Sequence, residues 1–191
     1  MRHRAIDIRK HFIRSMLNNN KIHSSIIHHC FTTVVVKAIQ DHDEPLVIEI
    51  LVGNRARKAA EMIGASPPDG FLAKVEGLLR KYLDGLQIDF TPIHINFVGL
   101  TIFQKAVLNA ARQVPYGSTH SYCNLAAAAG YPRAIRAAAT VMARNRFPII
   151  IPCHRIIHKD GSLGAYSGDW DGEDAALKRS LIQLEKTVSA K

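Results

Sequence analysis

Ser121-Tyr-Cys-Asn-Leu-Ala-Ala-Ala-Ala-Gly130-Tyr-Pro-Arg-Ala-Ile-Arg136-Ala-Ala-Ala-Thr-Val-Met-Ala-Arg144 is the stretch on which the fold turns. Ser121 can accept a hydrogen bond from a backbone amide one turn ahead, so it caps a short helix running through Ala129. Gly130 stands where helices end in a left-handed residue, and Pro132, its φ already fixed, opens the next helix. Two helices joined by a brief glycine-containing turn make a helix-turn-helix. At 100° per residue, Arg133, Arg136, Ala137, Thr140 and Arg144 share about 100° of arc on the second helix. Ile135, Ala138, Ala139 and Met142 fall opposite, as an inward face. An ordinary amphipathic surface helix also satisfies this pattern. Small residues between arginines, however, let a backbone come close to DNA, so a recognition helix is the preferred reading.

Upstream, Thr101 followed by Gln104 predicts a capping box, and Phe103, Ala106, Val107 and Ala110 repeat at helical spacing until Val114-Pro-Tyr-Gly117 stops them. Downstream, Asn145 suits a left-handed helix end, and Phe147-Pro-Ile-Ile-Ile151 predicts a buried strand disturbed by Pro152. A last helix is predicted from about Glu173 to Lys186, with Leu177, Leu181 and Leu184 inward. The N-terminal half predicts strands over Thr32–Val36 and Pro45–Val52. It also predicts helices over about Asn54–Ile63, closed by Gly64 and Pro67-Pro68, and about Phe71–Leu83. Nothing in that half reads as catalytic. His23, His28, His29 and Cys30 match no trusted zinc spacing, so they are expected to be surface side chains with no metal.

The chain has 191 residues, 47% hydrophobic and 21% charged, which excludes a disordered composition. Its formal charge is +9, and from Phe90 through Lys159 there is no acidic residue. Lys105, Arg112, Arg133, Arg136, Arg144, Arg146, Arg155 and Lys159 fall in that stretch, a field that attracts phosphates. A basic face kept for solubility would carry interspersed acids, so nucleic acid is the expected partner. Three cysteines are too few for a disulfide framework, and no apolar run is long enough to span a bilayer. A soluble, cytoplasmic protein without a membrane partner is expected, nucleoid-associated in a prokaryote or nuclear in a eukaryote.

Ile151-Pro-Cys-His-Arg-Ile156 supplies the chemistry. A cysteine nucleophile needs thiolate character, which a base or positive charge supplies, and Cys153 is flanked by His154 and Arg155. Adjacent residues on an extended chain point apart, so His154 is not expected to touch the Cys153 sulfur directly. Alone, Cys153 could be an inert buried thiol. This hexapeptide closely resembles the active-site signature of the O6-alkylguanine-DNA alkyltransferases. The resemblance continues through Val114–Gly117, Ser121-Tyr122, Gly130–Arg136, Asn145, Gly161, Gly164, Tyr166-Ser167-Gly168 and Glu185, covering residues 100–186 in order.

The resemblance implies an α+β chain. A small N-terminal α/β domain with a short antiparallel sheet (1–92) would precede a C-terminal helical domain (93–191), whose winged-helix-like helix-turn-helix carries the active site. It implies that Glu185 orients His154, which acts through water on Cys153. It assigns the Tyr122 hydroxyl as proton donor to the departing guanine, and Asn145 as a brace between recognition helix and active-site strand, though a simple cap is the alternative. Pro148, Tyr166, Ser167 and Gly168 would line the alkyl pocket. Arg136 would fill the stack vacated by a flipped nucleotide, or else contact phosphate. Arg133, Arg144, Ala137 and Thr140, with Tyr122, would complete the DNA surface. The implied protein acts once, as a monomer without cofactors, on double-stranded DNA containing O6-alkylguanine. The alternative class is a lesion sensor or helix-turn-helix regulator, which would not need Cys153, His154 and Glu185 together. The sequence departs from the family pattern at Ala138-Ala139-Thr140, where glycine is usual, and at Arg146, where proline is usual. It also has a long acidic segment, Asp169-Trp-Asp-Gly-Glu-Asp174.

Overall fold

Alternating β-branched residues let one sheet bury both of its faces. Ile22–His29 (β1), Thr32–Asp41 (β2) and Glu44–Val52 (β3) pair antiparallel in the order β1-β2-β3. The computed structural model describes residues 22–30, 32–41, 44–63, 70–164, 166 and 172–189. Helix α1 (Gly53–Ile63) covers one face, where Val35, Leu51 and Ala56 form a small cluster. Val34, Val36, Ala38 and Ile50 face the other way, into the main core with Leu72, Val75 and Leu79 of the segment ending in α2 (Ala73–Leu83). The strand β1 was not foreseen: its serines and histidines lack a strand composition, and only pairing with β2 fixes it.

The mixed α/β architecture continues through α3 (Ile102–Arg112), a two-residue strand β4 (His120–Ser121), α4 (Tyr122–Ala128) and α5 (Ile135–Ala143). A 3₁₀ turn (Cys153–Arg155), β5 (Ile156–Ile157) parallel to β4, and α6 (Glu173–Ser189) follow. The capping box on α3 is present in both directions, Thr101 with Gln104, and the Ser121 hydroxyl accepts from the Asn124 amide to start α4. Gly130 ends α4 at φ +83°, a conformation open to glycine.

Four expectations need correction. Helix α5 begins at Ile135, not Pro132; the 131–134 stretch is a turn closed by the Ala134 amide on the Tyr131 carbonyl. Arg133 therefore precedes the helix, and Ile135 is exposed, while Ala138, Val141 and Met142 form the buried face. The Ile149–Ile151 run is buried but forms a turn, not a strand. Its left-handed residue is Ile149, at φ +74°, and not Asn145. A β-branched residue there is strained, and Asn145 holds it: its Nδ2 donates to the Ile151 carbonyl at 2.9 Å and its Oδ1 accepts from the Phe147 amide at 2.9 Å.

The two halves are tied together. Val47 of β3 exchanges backbone hydrogen bonds with His94 and Asn96, and the Ile50 amide donates to the Arg146 carbonyl at 2.7 Å. The Arg112 guanidinium donates to the carbonyls of Phe90, Thr91 and Ile93, so the segment between the two halves is clamped. At its start α6 is fixed to α1: the Asn54 amide donates to Asp174, and Arg57 pairs with Glu173. Among the described residues, no helix is long and apolar enough to cross a membrane.

Candidate active site and nucleic-acid interface

Cys153 opens a 3₁₀ turn and does not lie on extended chain, which changes the geometry expected for its neighbours. Successive side chains in such a turn diverge by about 120°. Cys153 is thus directed away from His154 and Arg155, which both reach the Glu185 carboxylate on α6. The His154 Nε2 lies 2.8 Å from Glu185 Oε1, and the Arg155 guanidinium donates to both carboxylate oxygens at 2.9–3.2 Å. Arg155 also donates to the Val114 carbonyl, and the Gly117 amide donates to Glu185 Oε2 at 3.1 Å. All three side chains are buried.

The charges follow from these contacts. Burial alone would raise the Glu185 carboxyl, but the hydrogen bonds and charges of His154 and Arg155 outweigh it and hold it at about 2. Glu185 is then an ionised acceptor, so His154 Nε2 must carry the proton in that bond. Burial holds the imidazole below its ordinary range, against the pull of Glu185, so it is neutral. The other nitrogen, Nδ1, is buried and has no hydrogen-bond partner among the described residues. Burial pushes the Cys153 thiol up, opposed by the Asn145 amide, Lys178 and Tyr166. The resting sulfur is a thiol flanked by a neutral imidazole with an acceptor to spare.

Two participants were not foreseen. Tyr82 of α2 is fully buried; its hydroxyl donates to Glu185 Oε1 at 2.7 Å and lies 3.1 Å from His154 Nε2. The N-terminal half, read as non-catalytic, therefore reaches into this network. Lys178 of α6 is also buried, with its Nζ on the carbonyls of Ile156 and Leu163 and 5.9 Å from the Tyr122 ring. Burial brings its ammonium down to about 8. In sequence both were single polar residues on helices predicted from their apolar neighbours. Glu185 itself lies eight residues beyond Leu177, and Asp174, Lys178 and Glu185 share the buried face with Leu177 and Leu181.

Tyr122 is buried beside this centre, its ring tilted against His158 at 5.1 Å. Burial, then the Cys153 charge, pushes its phenol up to about 12, so the hydroxyl remains a donor. Gly164, at φ +66°, passes so close that a Cβ would sit 2.9 Å from His158 Nε2 and 3.1 Å from the Tyr122 hydroxyl. Pro148 and Tyr166 are buried, and the Tyr166 phenol and Cys153 each shift the other's ionisation. Ser167 and Gly168 lie outside the described residues, as do Gly64, Pro67, Pro68 and the acids Asp169 and Asp171. Cys30 and Cys123 are exposed. His29 reaches Asp84 at 3.3 Å from the end of β1, and among the described residues no His, Cys, Asp or Glu cluster could hold a metal ion.

On the outside, Arg136, Ala137 and Thr140 are exposed on α5, with Arg133 exposed before it and Arg144 at its end. The three arginines carry no ion pair among the described residues, so their field is unneutralised. Thr140 turns its hydroxyl back onto the Arg136 carbonyl at 3.1 Å.

Comparison with known proteins gives this arrangement a context. Residues 102–187 match the family model for the 6-O-methylguanine DNA methyltransferase DNA-binding domain. A methylated-DNA–protein-cysteine methyltransferase of Methanothermobacter thermautotrophicus is 39% identical over 121 residues, 63% of this chain and 64% of that one. One from Mycobacterium leprae is 36% identical over 65% of this chain and 71% of its own. The crystal structure of Mycobacterium tuberculosis OGT in complex with DNA superposes with a TM-score of 0.67 at 26% identity, covering 87% of this chain and 94% of that one. The chain thus matches just under two thirds of the archaeal relative's length. Cys153, His154, Arg155, Glu185 and α5 all fall inside the matched residues, and by sequence and fold together this chain belongs to the methylated-DNA–protein-cysteine methyltransferase family.

Proposed function

We propose that this protein repairs DNA by moving an alkyl group from O6 of guanine in duplex DNA onto Cys153, once and irreversibly. The observation that carries the reading is His154: fully buried, neutral, with Nε2–H committed to Glu185 and Nδ1 left as an open acceptor. Through a water, Nδ1 takes the Cys153 proton as the sulfur attacks the alkyl carbon. The S–C bond forms as the C–O6 bond breaks, and the departing guanine anion takes a proton from the Tyr122 hydroxyl. The imidazolium that forms is stabilised by Glu185. The thioether has no leaving group that water displaces, so each molecule acts once.

The target carbon cannot meet a buried sulfur while its base is stacked, so the nucleotide is flipped out. The exposed Arg136 then fills the vacated stack, Arg133 and Arg144 contact phosphates, and Ala137 and Thr140 permit close approach in the minor groove. Asn145 braces the turn that presents Cys153, and Pro148, Tyr166, Ser167 and Gly168 border the alkyl group. We assign residues 1–92 to a supporting domain and 93–191 to the DNA-binding alkyltransferase domain, with a winged-helix-like motif. The protein works as a monomer in the compartment that holds DNA.

Incubation with a duplex carrying O6-methylguanine should place one methyl on the Cys153 peptide, saturating at one per protein by mass. Tight binding of the duplex with no methyl transferred would instead make the protein a lesion sensor. Replacing Arg136 with Ala should slow transfer from duplex by about 10-fold or more, since part of the flipping cost is then unmet. Transfer from the free modified base should change by less than about 2-fold, and equal slowing of both would remove the stack-filling role.

A further inference from the structure

Tyr82 is the only side chain of α2 among the described hydrogen bonds to reach the Glu185 carboxylate, and it does so across 103 positions of sequence. Its hydroxyl is 2.7 Å from Glu185 Oε1 and 3.1 Å from His154 Nε2, with the ring held edge-on between Phe90 at 5.7 Å and Tyr116 at 6.1 Å. From this geometry, and resting on the alkyl-transfer reading above, we propose that Tyr82 is a positioning residue that sets the strength of the His154 base. The N-terminal half would then act in the reaction as well as supporting the fold.

Glu185 Oε1 accepts from Tyr82, from His154 Nε2 and from Arg155. Burial and the adjacent Glu185 charge push the Tyr82 phenol well above its ordinary range, so it cannot ionise and can only donate to that oxygen. Each donor draws electron density from the carboxylate, and less remains to hold a proton on His154. Tyr82 therefore keeps the imidazole from becoming too basic and stays neutral when the reaction starts. The Tyr82 oxygen also sits where Nε2–H can share its hydrogen bond, which fixes the ring plane and the tautomer that leaves Nδ1 open. The charged and titratable groups that otherwise face the pair are Arg155, which also donates to Oε1, Lys178, Tyr116 and, beside Tyr82, Tyr166.

The test is single-turnover methyl transfer from O6-methylguanine duplex to the full chain, followed as a function of pH. The wild-type rate should fall on the acid side as His154 protonates. In Tyr82→Phe the ring packing survives, but Glu185 loses a donor and holds the His154 proton harder. The acid limb should move up by about 0.5–1 pH unit, so that below it the rate drops about 3–10-fold, while DNA affinity changes less than about 2-fold. Difluorotyrosine at position 82 keeps the hydroxyl, strengthens it as a donor and should move the limb the opposite way, which also covers poor folding of the Phe variant. A limb that stays put in both proteins, whatever the loss of rate, or a wild-type profile with no acid limb overturns the proposal. A wild-type protein that acquires no methyl at any pH would instead overturn the alkyl-transfer reading itself.

Discussion

Cys153→Ala protein should bind duplex DNA as tightly as the wild type and accept no methyl group at all. The substitution removes one buried sulfur from a turn whose backbone hydrogen bonds remain, the Cys153 amide on the Ile151 carbonyl and the Arg155 amide on Pro152. The stability loss should be about 1 kcal/mol. The exposed arginines Arg133, Arg136 and Arg144 lie on and around α5 and, among the described residues, none of their side chains bonds to Cys153, His154 or Glu185, so affinity and its steep fall with salt should persist. No other thiol can take over, because Cys30 and Cys123 are exposed and neither contacts His154 or Glu185 among the described residues. The same contrast gives a control in the wild type. Burial keeps Cys153 protonated at rest, so a soluble alkylating reagent should label Cys30 and Cys123 well before Cys153. Peptide mass mapping reads both results. A methyl on Cys30 or Cys123 in the variant, or loss of DNA binding with it, would mean that Cys153 is structural.

The sequence carried some of this structure and not the rest, and the difference is physical. Signals that act within one or two turns were legible. The Thr101–Gln104 box, the Ser121 cap and the Gly130 termination involve residues no more than three apart, and all three form as read. The exposed face of α5 followed from its period of 3.6, apart from Ile135. Where a residue's role depends on distant packing, pattern alone misled. Three consecutive isoleucines look like a strand, yet the Asn145 side chain bends them into a turn by satisfying backbone groups that a neighbouring strand would otherwise pair. Pro132 has the right φ for a helix start, but α5 waits three residues because Tyr131 and Ala134 close a turn first. Tyr82 and Lys178 could not be found by any local rule. Their partners lie elsewhere in the chain, and only the folded core shows that these polar groups are buried, and hence that they must be paired. Cys153, His154 and Glu185 were legible as a set only through the resemblance, since 31 positions separate the histidine from the carboxylate.

Glu185→Gln should cause the largest loss of stability of any single substitution at this centre, together with a change in how the protein responds to acid. In the wild type the carboxylate balances Arg155, which is only 7% exposed, and accepts from Tyr82, His154 and Gly117 as well. Removing one partner of a buried pair leaves an uncompensated charge, and the cost is about 3–5 kcal/mol. Chemical denaturation at pH 7 measures it. The carboxyl is held at about 2 in the folded protein against about 4.3 when unfolded, so its contribution is fully present above the unfolded value. It disappears as pH falls from there through about 2, and it amounts to roughly 3 kcal/mol. His154 adds to the loss at higher pH. Its folded pKa is depressed, so the unfolded chain takes up that proton first, and stability should begin to decline below about pH 6.5. The melting temperature of the wild type should therefore fall in two stages on acidification. Glu185→Gln should start lower and keep little of the second stage, the one between about 4.3 and 2. Methyl transfer should drop by at least about 10²-fold, because the imidazolium formed when Cys153 gives up its proton has lost its counter-charge. A variant as stable as the wild type at pH 7, with the same acid profile, would show that Arg155 is neutralised elsewhere and that Glu185 is not the group on which the buried centre depends.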